Sequence, residues 1–459
     1  MTKKIQTRYT CNTCGHEVSK WLGKCPECLS WNSFQEEFTN SKFKKNIGVK
    51  DENEKAQSLK FVKEHSFSRL KSGLPEFDRV VGGGLVRGTF VLCAGEPGIG
   101  KSTLLMNILE AYACQLNLEK FLYVSGEESL GQIAGRAKRL NVKSENILLL
   151  NEVLWQSIEK TLKTQKPKFL IIDSIQTIYS NEVESAPGSP NQMKEMAYQL
   201  MNYAKENDVI CIAIGHITKE GAIAGPKLLE HIVDIVLTIE GEPRDDLRIL
   251  RCYKNRFGET YQVGLFEMNE QGLKGVNHLI TQTRAQRIDS IGCAYSLIKE
   301  GNRIFALEIQ ALVVENKFSH GRRISQGIDH NHLSMLIAII EKYLGIKLAS
   351  DDVYLNLSGG LRPQGRESDL AIIAAIISSK CNYSLNSKMI LVGETTLAGT
   401  LKGLPAIENR LAEIKSWGFL KIVMAESLKS KNLDEMEIHN LKTIKDFEET
   451  LKDFKDRAS

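Results

Sequence analysis

This 459-residue sequence lacks any strong charge of one sign: 60 basic residues stand against 56 acidic, a net charge of +4. That excludes a histone-like basic tail and a strongly acidic disordered chain. It leaves nucleic-acid binding open, because a local basic surface can sit inside a balanced total. Long apolar runs are also missing. The longest, residues 370–377, falls far short of the ~20 residues that span a bilayer, so no membrane segment is expected. No apolar stretch follows the basic start MTKKIQTRYT, so no signal peptide is expected and the cytoplasm is the expected compartment. Ten cysteines in a chain this long are too few for a disulfide scaffold. What remains is an ordinary globular composition, 42% hydrophobic and 25% charged, with length for about three domains.

The cysteines that are present are unevenly placed. Cys11, Cys14, Cys25 and Cys28 form two Cys-x2-Cys pairs within the first 28 residues. Each pair sets two thiolates on a tight turn, and two such knuckles supply the four tetrahedral ligands of a structural Zn²⁺. Gly15, Gly23 and Pro26 suit those turns. All four ligand positions are filled, so no catalysis is expected at the metal. So short a segment has little core, and metal binding should supply its folding energy, on the order of 10–16 kcal/mol. Trp21 and Trp31 are read as the core of this module, with exposure for stacking on nucleic acid as the alternative. The other six cysteines (Cys93, Cys114, Cys211, Cys252, Cys293 and Cys381) are scattered and read as small buried hydrophobes.

The chain then divides by composition. Residues 1–35 hold the zinc knuckles, and 36–66 read as a polar linker. Over 67–280, short apolar runs (FVLCAG, KFLYVSG, NILLLN, KFLIIDS, VICIAIGH and IVDIVLTIE) alternate with amphipathic stretches. That is the pattern of a parallel sheet with crossover helices. A polar pause near 281–287 precedes a further α/β domain over 281–459, with RIFALEIQALVV as a strand and SDLAIIAAIISSK as a helix.

GEPGIGKST, residues 95–103, meets the P-loop pattern through Gly95, Gly100, Lys101 and Ser102. It follows an apolar run and opens an amphipathic helix, as the motif requires. Backbone N–H groups along Gly95, Glu96, Pro97, Gly98, Ile99 and Gly100, Pro97 excepted, can wrap the β-phosphate of ATP or ADP. Lys101 reaches the β- and γ-phosphates, the Ser102 hydroxyl binds Mg²⁺, and Thr103 continues the turn. In KFLIIDS four apolar residues lead to Asp173, a carboxylate placed to hold the same Mg²⁺; a helix-capping Asp is the alternative. The strand of YVSGEES leads to Glu127 and Glu128. Either carboxylate can orient the attacking water as general base, and Glu127 is preferred.

SGLPEFDRVVGGGLVRGTFVLCAGEPGIGKSTL (72–105) resembles the opening of RecA/KaiC/DnaB-type ATPase domains. Together with the cysteine knuckles, SGEES, DSIQT, GHITKEGAIAGPKLLEH and KNRFG (254–258), the whole chain resembles the bacterial RadA (Sms) family of DNA-repair proteins. The resemblance implies an α/β fold in three parts: a four-cysteine zinc ribbon, a RecA-like P-loop ATPase core and a Lon-protease-like carboxy-terminal domain. It implies a homo-oligomeric, hexameric ring with ATP between subunits, where Lys254 and Arg256 act in trans as a finger pair; on spacing alone they read as a solvated turn. His216 would sense the γ-phosphate and Gln176 relay the signal. Segments 180–194 and 218–227, the latter with Lys219 and Lys227, would line a channel for single-stranded DNA and contact phosphates without sequence preference. The family further implies work on branched DNA and recombination intermediates alongside RecA recombinase.

The Lon-like stretches are VYLNLSGGLRPQGRESDLAIIAAIISS and ILVGETTLAGTLKGLPAIENRLAEI. Lon-type proteases use a Ser–Lys dyad. Here Glu367 stands at the Ser position and Glu408 near the Lys position, with Ser368 and Lys402 nearby but out of register. An inactive protease fold kept as scaffold follows, with Arg303, Lys317, Arg322, Arg323 and Lys347 as candidate duplex contacts. Two other functions stay in view: an ATP-dependent Lon-like protease, and a KaiC-like autophosphorylating scaffold.

Overall fold

The structure is a computed structural model that describes residues 6–11, 16–27, 29–39, 68–216, 229–241, 246–276, 289–301, 303–316, 321–357, 363, 365–404, 407–425 and 436–456. The chain separates into two compact units, Met1–Gly275 and Val276–Ser459.

The first unit begins with a small three-stranded antiparallel sheet, in which Gln6–Cys11 lies between Glu17–Val18 and Phe34–Thr39. The last strand runs past residue 35, where composition alone ended the module. Its core is Cys11, Cys25 and Phe34, with Tyr9 and Val18 packed against it. Trp21 and Trp31 are not in this core: they are 53% and 71% exposed. The sheet is too small to enclose an indole, and the buried cysteines already occupy its centre.

The rest of this unit is built on a nine-stranded sheet. Six strands are parallel, in spatial order Ile235–Glu240, Phe90–Gly95, Ile210–His216, Phe169–Asp173, Phe121–Ser125 and Ile147–Asn151. These are the six apolar runs of the sequence. For the five inner runs continuity follows from burial on both faces, which removes the need for alternation; Ile147–Asn151 is a half-buried edge strand. Beyond Ile235–Glu240 the sheet continues antiparallel through Leu247–Asn255, Val263–Asn269 and Gly272–Gly275. Helices cover both faces. Lys101–Gln115 and Leu130–Arg139 pack on one cluster, with Val91, Cys93, Tyr123, Ile171 and Ile212. Trp155–Gln165 and Pro190–Asn207 pack on the other, with Leu92, Val124, Leu170, Ile172 and Cys211. Odd and even strand positions thus feed opposite layers.

Segment 180–194 is more ordered than its Gly, Pro and Ser content suggests. Pro190 opens the helix Pro190–Asn207 behind the cap Ser189, the position where a missing N–H costs nothing. Buried Gln192 donates from Nε2 to the carbonyls of Ser180, Val183 and Ser185, at 3.0, 3.0 and 3.1 Å. One side chain therefore staples the turn.

In the second unit a four-stranded sheet runs in order Cys293–Glu300, Arg303–Glu315, Asp351–Leu357 and Arg323–Gln326. A three-stranded parallel sheet joins Met389–Val392, Lys421–Ala425 and Glu437–Leu441. The buried helix Asp369–Cys381 contains the longest apolar run. Among the described residues no helix is long and apolar enough to cross a membrane. The scattered cysteines divide: Cys93, Cys211 and Cys252 are buried and Cys293 half-buried, whereas Cys114 and Cys381 are exposed near helix ends. For those two, the expectation of burial fails.

Candidate nucleotide and metal sites

Strand register decides which residues meet at the ATPase centre. Gly95 pairs with His216, Ala213 with Ile172, and Ser125 with Asp173. The carboxyl ends of four neighbouring parallel strands therefore form one edge, where ligands bind in open α/β sheets. The P-loop leaves that edge at Gly95 and enters the helix Lys101–Gln115. Gly98 and Gly100 take φ of +79° and +113°, conformations that suit glycine. At Gly100 a Cβ would also stand 2.7 Å from Met268 Cε. Glu96, Pro97 and Gly98 are exposed at the tip.

Lys101 is buried, and its Nζ donates to the carbonyls of Gly95 (2.9 Å) and Glu96 (2.8 Å). Burial pushes the Lys101 ammonium below its ordinary pKa, against the pull of Cys93, Asp173, Glu127 and Glu96. Asp173 is equally buried. Desolvation raises its carboxyl above the usual range, opposed by hydrogen bonds from Tyr123 and Ser102. The Ser102 hydroxyl and Asp173 carboxylate thus already meet. Hard oxygen donors on a P-loop and on the strand end one place beyond its neighbour fit Mg²⁺. With the cradle of P-loop amides, they also fit a nucleotide triphosphate.

Glu127 and Glu128 part company in the turn after Phe121–Ser125. The Ser125 hydroxyl accepts from both backbone N–H groups, at 3.4 and 3.0 Å, which fixes the turn. Glu128 is ion-paired to Arg136. Glu127 Oε1 accepts instead from Ser174 Oγ, and lies 3.2 Å from His216 Nε2. Against an ionised carboxylate that nitrogen is the donor. His216 Nδ1 and Gln176 Oε1 are buried without hydrogen-bond partners among the described residues. Gly126 permits the arrangement: a Cβ there would lie 2.3 Å from Thr177 Oγ1.

Several supporting residues escaped the sequence reading. Ser174 and Thr177 were visible only as letters of DSIQT, yet the first holds Glu127 and the second closes the turn by donating to the Ser174 carbonyl (2.8 Å). Buried Arg248 donates from Nε to the Ile99 carbonyl (3.0 Å) and so braces the P-loop from an antiparallel strand. Nothing local in LRILRCYKN signals that role.

Lys254 and Arg256 lie elsewhere. Lys254 pairs with Val236, and Val236 with Leu92, which places it upstream of Gly95 along the sheet. Its Nζ donates to the carbonyls of Glu230 (2.6 Å) and Val233 (2.9 Å). Burial, then the neighbouring Arg256 charge, lowers its pKa. Arg256 donates to Asp234 Oδ1 (3.3 Å) and the His231 carbonyl (3.1 Å), and its side chain is half-exposed. At ~3.3 Å per residue, Arg256 stands roughly 15 Å along the strands from its own P-loop. Lys219 and Lys227 lie outside the described residues.

In the amino-terminal module, Cys11 and Cys25 are fully buried in one cluster. Cys11 Sγ donates to Ser33 Oγ (3.2 Å). Cys14 and Cys28 lie outside the described residues. Two thiols, one from each knuckle, buried in a common core fit a four-thiolate Zn²⁺ site.

In the second unit Glu367 is buried, and its Oε1 accepts from the Lys299 backbone N–H (2.8 Å). Ser368 is buried at the start of Asp369–Cys381. Lys402 is exposed, with Nζ 3.9 Å from Glu394. The Glu408 side chain and Lys317 lie outside the described residues. Arg323 is spent on the backbone, donating to the Leu348 (2.7 Å) and Asp351 carbonyls.

A rubredoxin metal-binding-domain model matches residues 9–36 and an AAA-domain model residues 55–222. The DNA repair protein RadA of Helicobacter pylori strain J99 is 43% identical over 437 residues, 94% of this chain and 96% of that protein. Its namesake in Aquifex aeolicus is 40% identical over 98% of this chain and 99% of its own length. The one in Bacillus subtilis strain 168 is 38% identical over 92% and 93%. Among solved structures, a KaiC-like protein of Pyrococcus horikoshii aligns with 46% of this chain and 99% of its own, at 21% identity and a TM-score of 0.39. The chain has a zinc ribbon, uses ATP, Mg²⁺ and Zn²⁺, and carries a P-loop ATPase core in a mixed α/β fold; it belongs to the RadA family of DNA repair proteins.

Proposed function

We propose that this chain is a DNA-dependent ATPase of recombinational repair. It assembles as a ring, hexameric in the full assembly, on single-stranded and branched DNA in the cytoplasm. There it promotes branch migration alongside RecA recombinase. The observation that carries the catalytic part is Glu127, a carboxylate held by Ser174 and His216 beside the P-loop edge.

In this reading Lys101 binds the β- and γ-phosphates, while Ser102 and Asp173 would hold Mg²⁺. The ion supplies charge neutralisation to the phosphates when bound. Glu127 orients a water for in-line attack on the γ-phosphate and takes up its proton. Glu128 is unsuited to that task because Arg136 neutralises it. His216 bridges Glu127 to the strand beside the P-loop, so a change at the γ-phosphate reaches the sheet edge through a single contact. Gln176, with an unpartnered Oε1, extends that edge toward segment 180–194.

Lys254 and Arg256 stand too far along the sheet to serve their own nucleotide. Their position favours action on a neighbouring copy's γ-phosphate, the arrangement of a trans finger. That is the support for a ring. In the second unit, buried Glu367 and surface Lys402 leave a proteolytic dyad without its parts. This favours a scaffold for ring or duplex over a protease.

Glu127→Gln tests the assignment. Hydrolysis should fall by ~10²–10⁴ while ATP binding, followed with a fluorescent analogue, persists. Glu128→Gln should cost far less. The reverse ranking would transfer the base to Glu128.

A further inference from the structure

The zinc module presents a surface that the ATPase reading does not use. Trp21 and Trp31 are exposed, and both rings come within 4.0 Å of the single point where a Gly23 Cβ would stand. They therefore form one continuous aromatic surface over that glycine. Its footing is fixed by the backbone: Lys24 and Trp31 are bridge partners, and the Asn32 N–H donates to the Gly23 carbonyl at 2.8 Å. Lys24 Nζ sits over the Trp31 ring, 5.5 Å from its centroid, and Lys20 is exposed beside Trp21.

A large indole left in water on a rigid support costs solvation free energy unless something covers it. The zinc core cannot, because buried cysteines and Phe34 fill it. Aromatic faces with flanking ammonium groups are what unpaired nucleobases and their phosphates require. Every base has a π-face, so such binding tolerates any sequence. We propose that Trp21 and Trp31 form a stacking platform for bases of single-stranded DNA, with Lys20 and Lys24 meeting the adjacent phosphates. This rests on the reading of the chain as a DNA-acting ATPase, and adds a second DNA contact outside the ATPase core.

The tryptophan inventory supplies the test. The chain has four. Trp155 and Trp417 are buried at 5% and 6% exposure, and their own response to DNA is read from the double variant and subtracted. The full-length protein is titrated with oligothymidylate. Binding is followed by anisotropy of a labelled oligonucleotide and, in parallel, by intrinsic tryptophan emission. Saturable quenching that tracks the anisotropy is the expected result. Trp21→Ala and Trp31→Ala should each weaken binding by about tenfold, and the double variant should abolish quenching with its zinc content intact.

Oligonucleotide binding without quenching overturns the platform and points to a protein partner for this face. So does a zinc-loaded double variant that binds as tightly as the parent. Where an alanine variant fails to retain zinc, a zinc-loaded Trp21→Phe/Trp31→Phe protein supplies the same subtraction. DNA-stimulated hydrolysis is measured on the same preparation. Quenching without stimulation sinks the motor reading and leaves the platform; stimulation without quenching does the opposite; no oligonucleotide binding overturns both.

Discussion

Among the places where this molecule buries charge, two do so to different ends. At the ATPase edge, Lys101 and Asp173 are both desolvated, and each pKa is pushed by burial toward the neutral form. Around them Glu128 Oε2, His216 Nδ1 and Gln176 Oε1 have no hydrogen-bond partner among the described residues. At the start of Asp369–Cys381 in the second unit, the carboxylates are instead completed from within. Asp369 Oδ1 meets His332 Nε2 at 2.7 Å and its Oδ2 accepts from the Thr395 N–H at 3.1 Å. Glu367 is held by a backbone N–H. Buried charge costs several kcal/mol per ion unless it is paired. Lys101 and Asp173 are themselves hydrogen-bonded, so what the ATPase edge keeps open is polar atoms on three flanking side chains, whereas the Asp369 and Glu367 carboxylates are met by their neighbours in the second unit. The first arrangement suits a ligand site and the second a scaffold.

The largest effect should come from the ligand-seeking side. Lys101→Ala removes the one cation buried in the P-loop and should reduce ATP hydrolysis to background in a phosphate-release assay, with or without DNA. Persistent DNA-stimulated hydrolysis would place the nucleotide elsewhere and dissolve the contrast. Arg256→Ala comes next, with hydrolysis lowered by ~10³ or more and nucleotide binding largely kept. Mixing Arg256→Ala with Lys101→Ala subunits should restore part of the activity, because some interfaces then pair an intact P-loop with an intact finger. Equal loss of binding and hydrolysis would show that Arg256 serves chiefly to anchor Asp234.

How much of this was legible in the sequence follows from where each signal resides. The parallel strands were readable because burial on both faces of the inner five writes itself as unbroken apolar runs, and GEPGIGKST carries its own loop chemistry. The three antiparallel strands were not. LRILRCYKN mixes charge into a strand whose buried positions include Arg248 and Asn255. The sequence reading preferred Glu127 to Glu128 without a local signal to separate them. Neighbouring carboxylates look alike in SGEES, and only the strand order brings Ser174 and His216 to one while a helix brings Arg136 to the other. Trp21 and Trp31 misled for a related reason. An indole in a small module reads as core, but a metal-centred core is already filled by its own thiols. Gln192 shows the converse, a polar side chain that orders a stretch whose glycine and prolines read as irregular.

The scaffold side of the comparison is sharpened by two substitutions of opposite expectation. Asp369→Ala strips His332 and the Thr395 N–H of their common partner in a buried setting. Full-length protein should lose about 1–3 kcal/mol of stability in the second unit, read as a lower urea midpoint for the Trp417 signal. Ser368→Ala should do almost nothing. Its hydroxyl is buried without a hydrogen-bond partner among the described residues, so its removal discards an unsatisfied group, and stability should stay within about 1 kcal/mol of the parent or rise. A casein-degradation assay on the same proteins gives the chemical reading. Parent and Ser368→Ala should be equally inert, since Lys402 is at the surface beside Glu394 and offers Ser368 no base. Cleavage by the parent that vanishes in Ser368→Ala would mean that the hydroxyl is unpartnered because it awaits a peptide, and the second unit would join the first as a ligand-seeking site.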